Sequence, residues 1–220
     1  MGSLMITVYG AKNLTPAFKG IVRDFRILWA LEELGLPYQT HWMDISKGEH
    51  KVAPNSLINP FGKVPSLQDD AFQMFESGAA VLYLYERAGK PPQDARARAE
   101  LNQWCFAALN TVEPPFIEIF CWDLFWRERI GREVRYPELV SAARDRIGAL
   151  DTRLAGKPWL LGEFGPADIL MTTVLDFARH VPQVFEGQHT IREYLARNKA
   201  RPAYVRAIAR HGAAPESRAA

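Results

Sequence analysis

Cysteine is scarce in this chain: 220 residues hold two, Cys105 and Cys121, set among aromatic residues. Their spacing fits neither a disulfide framework nor a zinc site, so no metal is expected, and the pair reads as two reduced, buried thiols of a cytoplasmic protein. A CxxC motif is missing as well, which excludes a generic dithiol redox protein. Neither sign of charge dominates. With 27 basic and 25 acidic residues the formal net charge is +2, which gives no electrostatic reason to expect nucleic acid or an anionic membrane surface as partner. No apolar run approaches the length of a membrane span, and "MGSLMITVYG" lacks a basic stretch followed by a long apolar one. Gly2 misses the myristoylation pattern because Ile6 stands where Ser or Thr is required, and Met5 reads as an alternative start. No internal repeat or low-complexity segment is evident.

What is present is enough apolar material, 48% of residues, to bury the core of one large or two small domains. The period of the apolar pattern changes along the chain. "MITVYG" (5–10) is β-like, and "VRDFRILWALEELGLPY" (22–38) spaces Phe25, Leu28, Trp29, Leu31 and Leu34 as on a helix ending at Gly35 and Pro37. "YQTHWMD" (38–44), "PSLQ" and "AFQMF" read as three more strands, the last two joined by a turn at Asp69-Asp70, and "SGAAVLYLYERAG" returns to helix. The expectation is a βαβ unit, a long irregular connection and a ββα unit over 1–88, a polar linker over 89–95, an all-helical domain over 96–212 and a flexible tail over 213–220. Pro114-Pro115 should break or kink a long helix running from about Arg96 to Arg129.

The stretch "NPFGKVPSLQDDAFQMFES" (59–77) carries chemistry. A proline opening an edge strand forfeits one ladder donor, and an X-Pro bond in a tight turn is where a cis peptide is most often met. Such a turn leaves the N–H and C=O of Val64, ahead of Pro65, facing outward for an extended peptide to pair with. Just beyond the hairpin, Ser77 sits at a helix N-terminus, where free N–H groups and a hydroxyl suit a carboxylate, and Glu76 suits an ammonium group. One α-amino acid end, bearing both charges, satisfies that pair.

These residues resemble the glutathione-binding half of the glutathione S-transferases. "GEHKVAPNSLINPFGKVP" (48–65) is similar to the corresponding stretch of the plant phi class and its bacterial relatives. The resemblance implies the cytosolic glutathione S-transferase architecture: an α/β thioredoxin-like N-terminal domain, an all-α C-terminal domain and a cytoplasmic homodimer. It further implies glutathione as co-substrate. His50, Lys51 and Lys63 would face its glycyl carboxylate, Val64 before Pro65 would pair with the cysteinyl backbone, and Glu76 with Ser77 would hold the γ-glutamyl end. "LAGKPWLLGEFGPADILMTTVL" (154–175) resembles the family's buried capped helix, except that Gly165 stands where Ser or Thr is usual. Pro166 fits the first helical position and Asp168 is read as a structural cap. "RPAYVRAIARH" resembles the terminal helix.

Family members stabilise the thiolate of glutathione, because a thiol with pKa near ~8.5 is mostly protonated at neutral pH. The usual Ser or Cys position falls at about Ile21 to Arg23, where this chain has no hydroxyl or thiol, in a loop several residues longer than usual. Three candidates stand in its place. Thr15, in a Thr-Pro step reminiscent of the bacterial nu-like enzymes, ranks first, Arg23 second and Tyr9 third. A first domain without cysteine argues against mixed-disulfide chemistry on the protein, while reduction of disulfides by two bound glutathiones stays open. Phe116, Phe120, Trp122 and Trp126, with Phe125, are expected to wall a pocket for a small hydrophobic second substrate. The reaction is then conjugation to an electrophile, or reduction of a peroxide or disulfide, in detoxification. The alternative is a non-catalytic module of the same fold that binds apolar ligands or a partner protein.

Overall fold

The computed structural model describes residues 5–213. The first part of the chain runs β1 (Ile6–Ala11), α1 (Asp24–Leu34), β2 (Tyr38–Met43), a 3-10 turn (Glu49–Lys51), the short α2 (Asn55–Ile58), β3 (Ser66–Asp69), β4 (Phe72–Phe75) and α3 (Ser77–Arg87). After it come α4 (Ala95–Phe106), a π-helical stretch (Ala107–Val112), α5 (Glu113–Leu124), α6 (Arg132–Leu154), α7 (Pro166–Leu175), α8 (His189–Lys199) and α9 (Pro202–Arg210). No strand follows residue 95 among the described residues. The expected tail lies outside them except for Ala213, as does Gly2. The chain falls into two compact units, 1–91 with 201–220, and 92–200.

In the first unit the sheet order is β2-β1-β3-β4, with β2 parallel to β1 and β3 and β4 antiparallel to their neighbours. Ile6 and Val8 of β1 and Leu67 of β3 are fully buried, as are Phe25, Leu28, Trp29 and Leu31 of α1 and Val81 and Leu84 of α3. Each such large apolar side chain contributes ~1.5–3 kcal/mol on leaving water. Gly35, left-handed at φ 62°, ends α1 as its sequence position suggests. The hairpin turn carries its positive φ, 57°, at Asp70.

Helix α9, which the sequence groups with the second domain, belongs to the first unit. Arg201 makes a two-pronged ion pair with Glu33 at 2.6 and 2.8 Å. Arg206 and Arg210 each reach Glu32 at 2.7 Å, and Tyr204 stands edge-on to Phe25 and Trp29. The glutamates of "LEEL" are therefore clamped by three arginines on one face of α9, with aromatic packing beneath.

In the second unit α7 is buried along its whole length. The carboxylate half of its cap stands without the hydroxyl half: Asp168 accepts from Gly165 N–H, Leu160 N–H and Tyr194 O–H at 3.1, 3.1 and 2.8 Å. The prolines act on the helix before them. Pro115 cannot donate to the Thr111 carbonyl, the backbone from 107 to 112 opens into a π turn, and Arg146 Nε of α6 donates to that carbonyl at 3.1 Å. The helix ends at Leu124, short of the expected Arg129. Cys105 is buried, its thiol pushed up to about 12 by burial and then by Asp168, whereas Cys121 is only half-buried, against expectation.

Candidate functional site

The sequence-picked residues of the first unit gather around the start of β3. Val64–Pro65 is cis, as is Ala53–Pro54 in the preceding connection. Neither the N–H nor the C=O of Val64 takes a hydrogen bond from the described chain, while its side chain packs on Tyr9, Met43 and Ile58. A free backbone donor and acceptor beside a sheet is what an extended peptide pairs with.

Asn55, fully buried, organises one flank. Its amide donates to the carbonyls of His50 at 2.7 Å and Lys63 at 3.0 Å, and its oxygen accepts from Ser66 Oγ at 2.7 Å. Asn59 adds a second bond to the Lys63 carbonyl at 3.1 Å. The His50 turn and the Lys63–Val64 turn are thereby held side by side. Gly62, at φ 56°, turns the chain there in the left-handed conformation that glycine adopts most readily. Glu49 pins the turn from behind, accepting from Asp44 N–H and Lys12 Nζ at 2.6 and 3.2 Å.

The electrostatics of this flank favour an anion. Lys51 and Lys63 are exposed and form no ion pair among the described residues. His50 is buried, its Nδ1 has no hydrogen-bond partner among the described residues, and its pKa is lowered by burial and then by Lys51 and Lys63. A buried imidazole nitrogen without a partner is costly, and a bound carboxylate would relieve it.

The other flank is the N-terminus of α3. Glu76, exposed and at φ 71°, holds a backbone conformation that non-glycine residues rarely adopt, and its side chain caps nothing. Ser77 is buried, and its Oγ accepts from Arg26 Nη1 at 3.1 Å. With Oγ taking that donor, its own proton is available to a ligand. The first N–H groups of α3 point the same way, unsatisfied within the helix. Arg26 and Asn55 are the two residues that the sequence reading missed. A lone arginine inside the apolar stretch Phe25–Leu31 was a readable sign of a buried, partnered charge, whereas an asparagine in a proline-rich connection carried no such sign.

The three thiol-activating candidates stand in different settings. Tyr9 is 7% exposed, donates its hydroxyl to Gln68 Oε1 at 3.0 Å, and has its pKa raised by burial. Thr15 is exposed in the loop between β1 and α1, where its carbonyl accepts from Phe18 and Lys19 N–H at 2.9 and 3.2 Å and its hydroxyl is uncommitted among the described residues. Arg23 is exposed at the N-cap of α1.

In the second unit a cavity of about 590 Å³ is lined by Trp122, Trp126, Ile117, Pro114 and Cys121, with Glu118 and Arg135 paired at 2.9 Å on its wall. Trp122 and Trp126 stand edge to face, 5.7 Å between ring centres. Phe116 is fully buried interhelical core, and Phe120 packs on Phe177 and Phe125, so neither lines that cavity.

The sequence model for the glutathione S-transferase N-terminal domain matches residues 25–92. The glutathione S-transferase-like protein OpS6 of Beauveria bassiana (strain ARSEF 2860) is 32% identical over 152 residues, 63% of this chain and 66% of that one. The chain thus spans just under two thirds of the length of that relative. Glutathione S-transferase F9 of Arabidopsis thaliana is 27% identical over 176 residues, covering 73% and 74% of the two chains. Among solved structures, a glutathione transferase family member from Pseudomonas fluorescens pf-5, crystallised with two glutathione bound, matches with a TM-score of 0.83 over 93% of this chain and 92% of that one at 23% identity. That likeness carries the fold: a thioredoxin-like four-stranded sheet with its helices, then a mostly helical region. The N-terminal domain thus matches that of the glutathione S-transferases, the fold is theirs, and glutathione S-transferases, phi-like, F-class proteins among them, are the chain's relatives.

Proposed function

We propose that the protein is a glutathione transferase that binds glutathione along the start of β3 and ionises its thiol for attack on a small hydrophobic electrophile, or for reduction of a peroxide or disulfide. The observation that carries this reading is the set of unmet groups in the first unit. His50 Nδ1 without a partner, the two unpaired lysines, the open backbone of Val64 and the Arg26-backed hydroxyl of Ser77 match the anionic, extended and zwitterionic parts of one tripeptide. Glutathione is bound in a structural neighbour of the same fold. His50, Lys51 and Lys63 take the glycyl carboxylate, Val64 the cysteinyl backbone, and Glu76 and Ser77 the γ-glutamyl ammonium and carboxylate.

Lowering the thiol pKa by about two units requires ~2.7 kcal/mol of preferential stabilisation of the thiolate, within reach of a hydroxyl donor and a nearby cation. Thr15, through its hydroxyl, is the first candidate for that role, Arg23, through its charge, the second and Tyr9 the third. The thiol proton leaves to solvent, and the sulfur pair forms the C–S bond as the leaving group departs from the electrophile. Trp122 and Trp126 offer the apolar wall for that second substrate. Cytoplasmic location, a role in detoxification and a homodimeric state belong to this proposal.

A second reading, a glutathione-binding module without catalysis, draws on the lack of any hydroxyl or thiol at residues 21–23. Turnover separates the two. With glutathione supplied, the transferase reading expects consumption of an aryl halide, an organic hydroperoxide or a small disulfide. Glutathione binding without turnover of any of the three refutes it.

A further inference from the structure

The loop between β1 and α1, residues 12–23, carries both Thr15 and Arg23, and its grip on the rest of the unit is distinctive. Asp24, fully buried at the start of α1, accepts from Ala11 N–H at 2.6 Å through Oδ2 and so closes the base of the loop. Its Oδ1 meets Nε2 of His211 at 2.7 Å, and His211 is also fully buried. The other ring nitrogen, Nδ1, accepts from Gly20 N–H at 3.0 Å. Because Gly20 is the donor in that bond, Nδ1 carries a lone pair, and the imidazole is the Nε2–H tautomer that donates to Asp24.

The surroundings are built to fit. A Cβ on Gly10 would fall 2.4 Å from Asp24 Oδ2 and 2.6 Å from the Trp42 ring, so only glycine lets β1 pass there. The His211 ring stands beside Phe25 at 5.2 Å and Trp42 at 6.4 Å. Gly212, at φ 66°, has no Cβ to collide with the Leu14 side chain, which would lie 2.8 Å away. The segment after α9 therefore touches the loop at Leu14, one residue before Thr15, and at Gly20, three before Arg23.

We infer that His211 is a positioning residue: from the end of α9 it holds the 12–23 loop in the conformation that presents the thiol-activating group. This inference rests on the transferase reading above. None of the hydrogen bonds of His211 involves His50, Lys51, Lys63, Val64, Glu76 or Ser77, so its loss should separate anchoring of glutathione from activation of its thiol.

The test compares the full chain with His211→Phe, which keeps ring packing and removes both hydrogen bonds, and His211→Gln, whose amide restores one donor and one acceptor. For each, glutathione affinity is measured by calorimetry, the bound thiol is titrated by thiolate absorbance, and amide hydrogen exchange is followed over 12–23. The expected result for His211→Phe is a Kd within about threefold of the parent, a kcat lower by about tenfold or more, a thiol pKa moved toward that of free glutathione and faster exchange in the loop, with partial recovery in His211→Gln. Parent-like thiol pKa and kcat in His211→Phe overturn the inference. So does a loss of affinity and kcat that only follows the unfolded fraction. A parent whose own bound thiol is unshifted sinks the transferase reading and, with it, the role of His211 in the reaction. Loop exchange alone then decides the tether, which unchanged protection in His211→Phe refutes.

Discussion

Replacing Ser77 by alanine should weaken glutathione binding through one end of the ligand only. In the fold the Ser77 hydroxyl accepts from the buried Arg26 guanidinium at 3.1 Å, which leaves its own proton to donate to a carboxylate. A hydrogen bond to a charged group contributes ~1.5–3 kcal/mol, which at ~1.4 kcal/mol per decade raises Kd by about one to two orders of magnitude. The N–H groups of the first turn of α3 remain in Ser77→Ala, so binding is reduced and not abolished. Calorimetry with glutathione and with cysteinylglycine, which lacks the γ-glutamyl unit, completes a cycle between protein and ligand. The loss should appear with glutathione and vanish with the dipeptide. Equal losses with both ligands, or none with either, would refute the assignment of the glutamyl end to α3. The same change withdraws an acceptor from Arg26, so thermal unfolding of the free protein should fall by several degrees, while Ser77→Thr should recover both readouts in part.

Other outcomes follow from the same geometry. Because the His50 pKa is lowered in the fold, the unfolded chain binds more protons between the folded pKa and 6.5. The term therefore adds stability above about pH 6.5, the unfolded value, that is lost as pH falls through the folded pKa. Binding of a carboxylate should raise that pKa, so calorimetry near pH 6 in buffers of different ionisation enthalpy should show proton uptake with glutathione, and none in His50→Gln. Asn55→Ala removes the ties of the His50 and Lys63 turns and should cost at least ~2 kcal/mol in denaturant unfolding, with weaker glutathione binding in what remains folded. A maleimide should label half-buried Cys121 under native conditions long before Cys105, whose thiol is held near 12 by burial. Equal rates would contradict the cavity geometry around Cys121.

Much of the first unit was legible in the sequence because its periods are clean. The short apolar run of β1, the αL stop at Gly35 and the proline and serine bounding the β3–β4 hairpin each follow from local chemistry. The helical turn at Glu49–Lys51 and the short α2 were not legible. Both are held by side-chain bonds of Asn55 and Glu49 to backbone five residues away, which neither the helix nor the strand period records. Helix α9 was found as a helix but placed with the wrong unit, since pairing of Arg201, Arg206 and Arg210 with Glu32 and Glu33 spans most of the chain. The prolines at 114 and 115 foretold a disturbance and not its form. At the π turn before them the freed carbonyl of Thr111 meets Arg146 of α6, a partner 35 residues further along the chain. The proposed anchoring residues stood out through the X-Pro step at a strand start, the serine at a helix N-terminus and the resemblance of residues 48–65. The proposed activating group did not, because an exposed threonine and an exposed arginine in a long loop look like any other solvated residues.

The most direct test of thiolate activation is titration of the bound glutathione thiol by ultraviolet thiolate absorbance in the parent, Thr15→Ala and Arg23→Ala. A parent value about two units below free glutathione, restored upward in one of the variants, is the expected result and names the activating group. A bound thiol that titrates as it does free in solution would contradict thiolate activation and leave a protein that holds glutathione without preparing it to react.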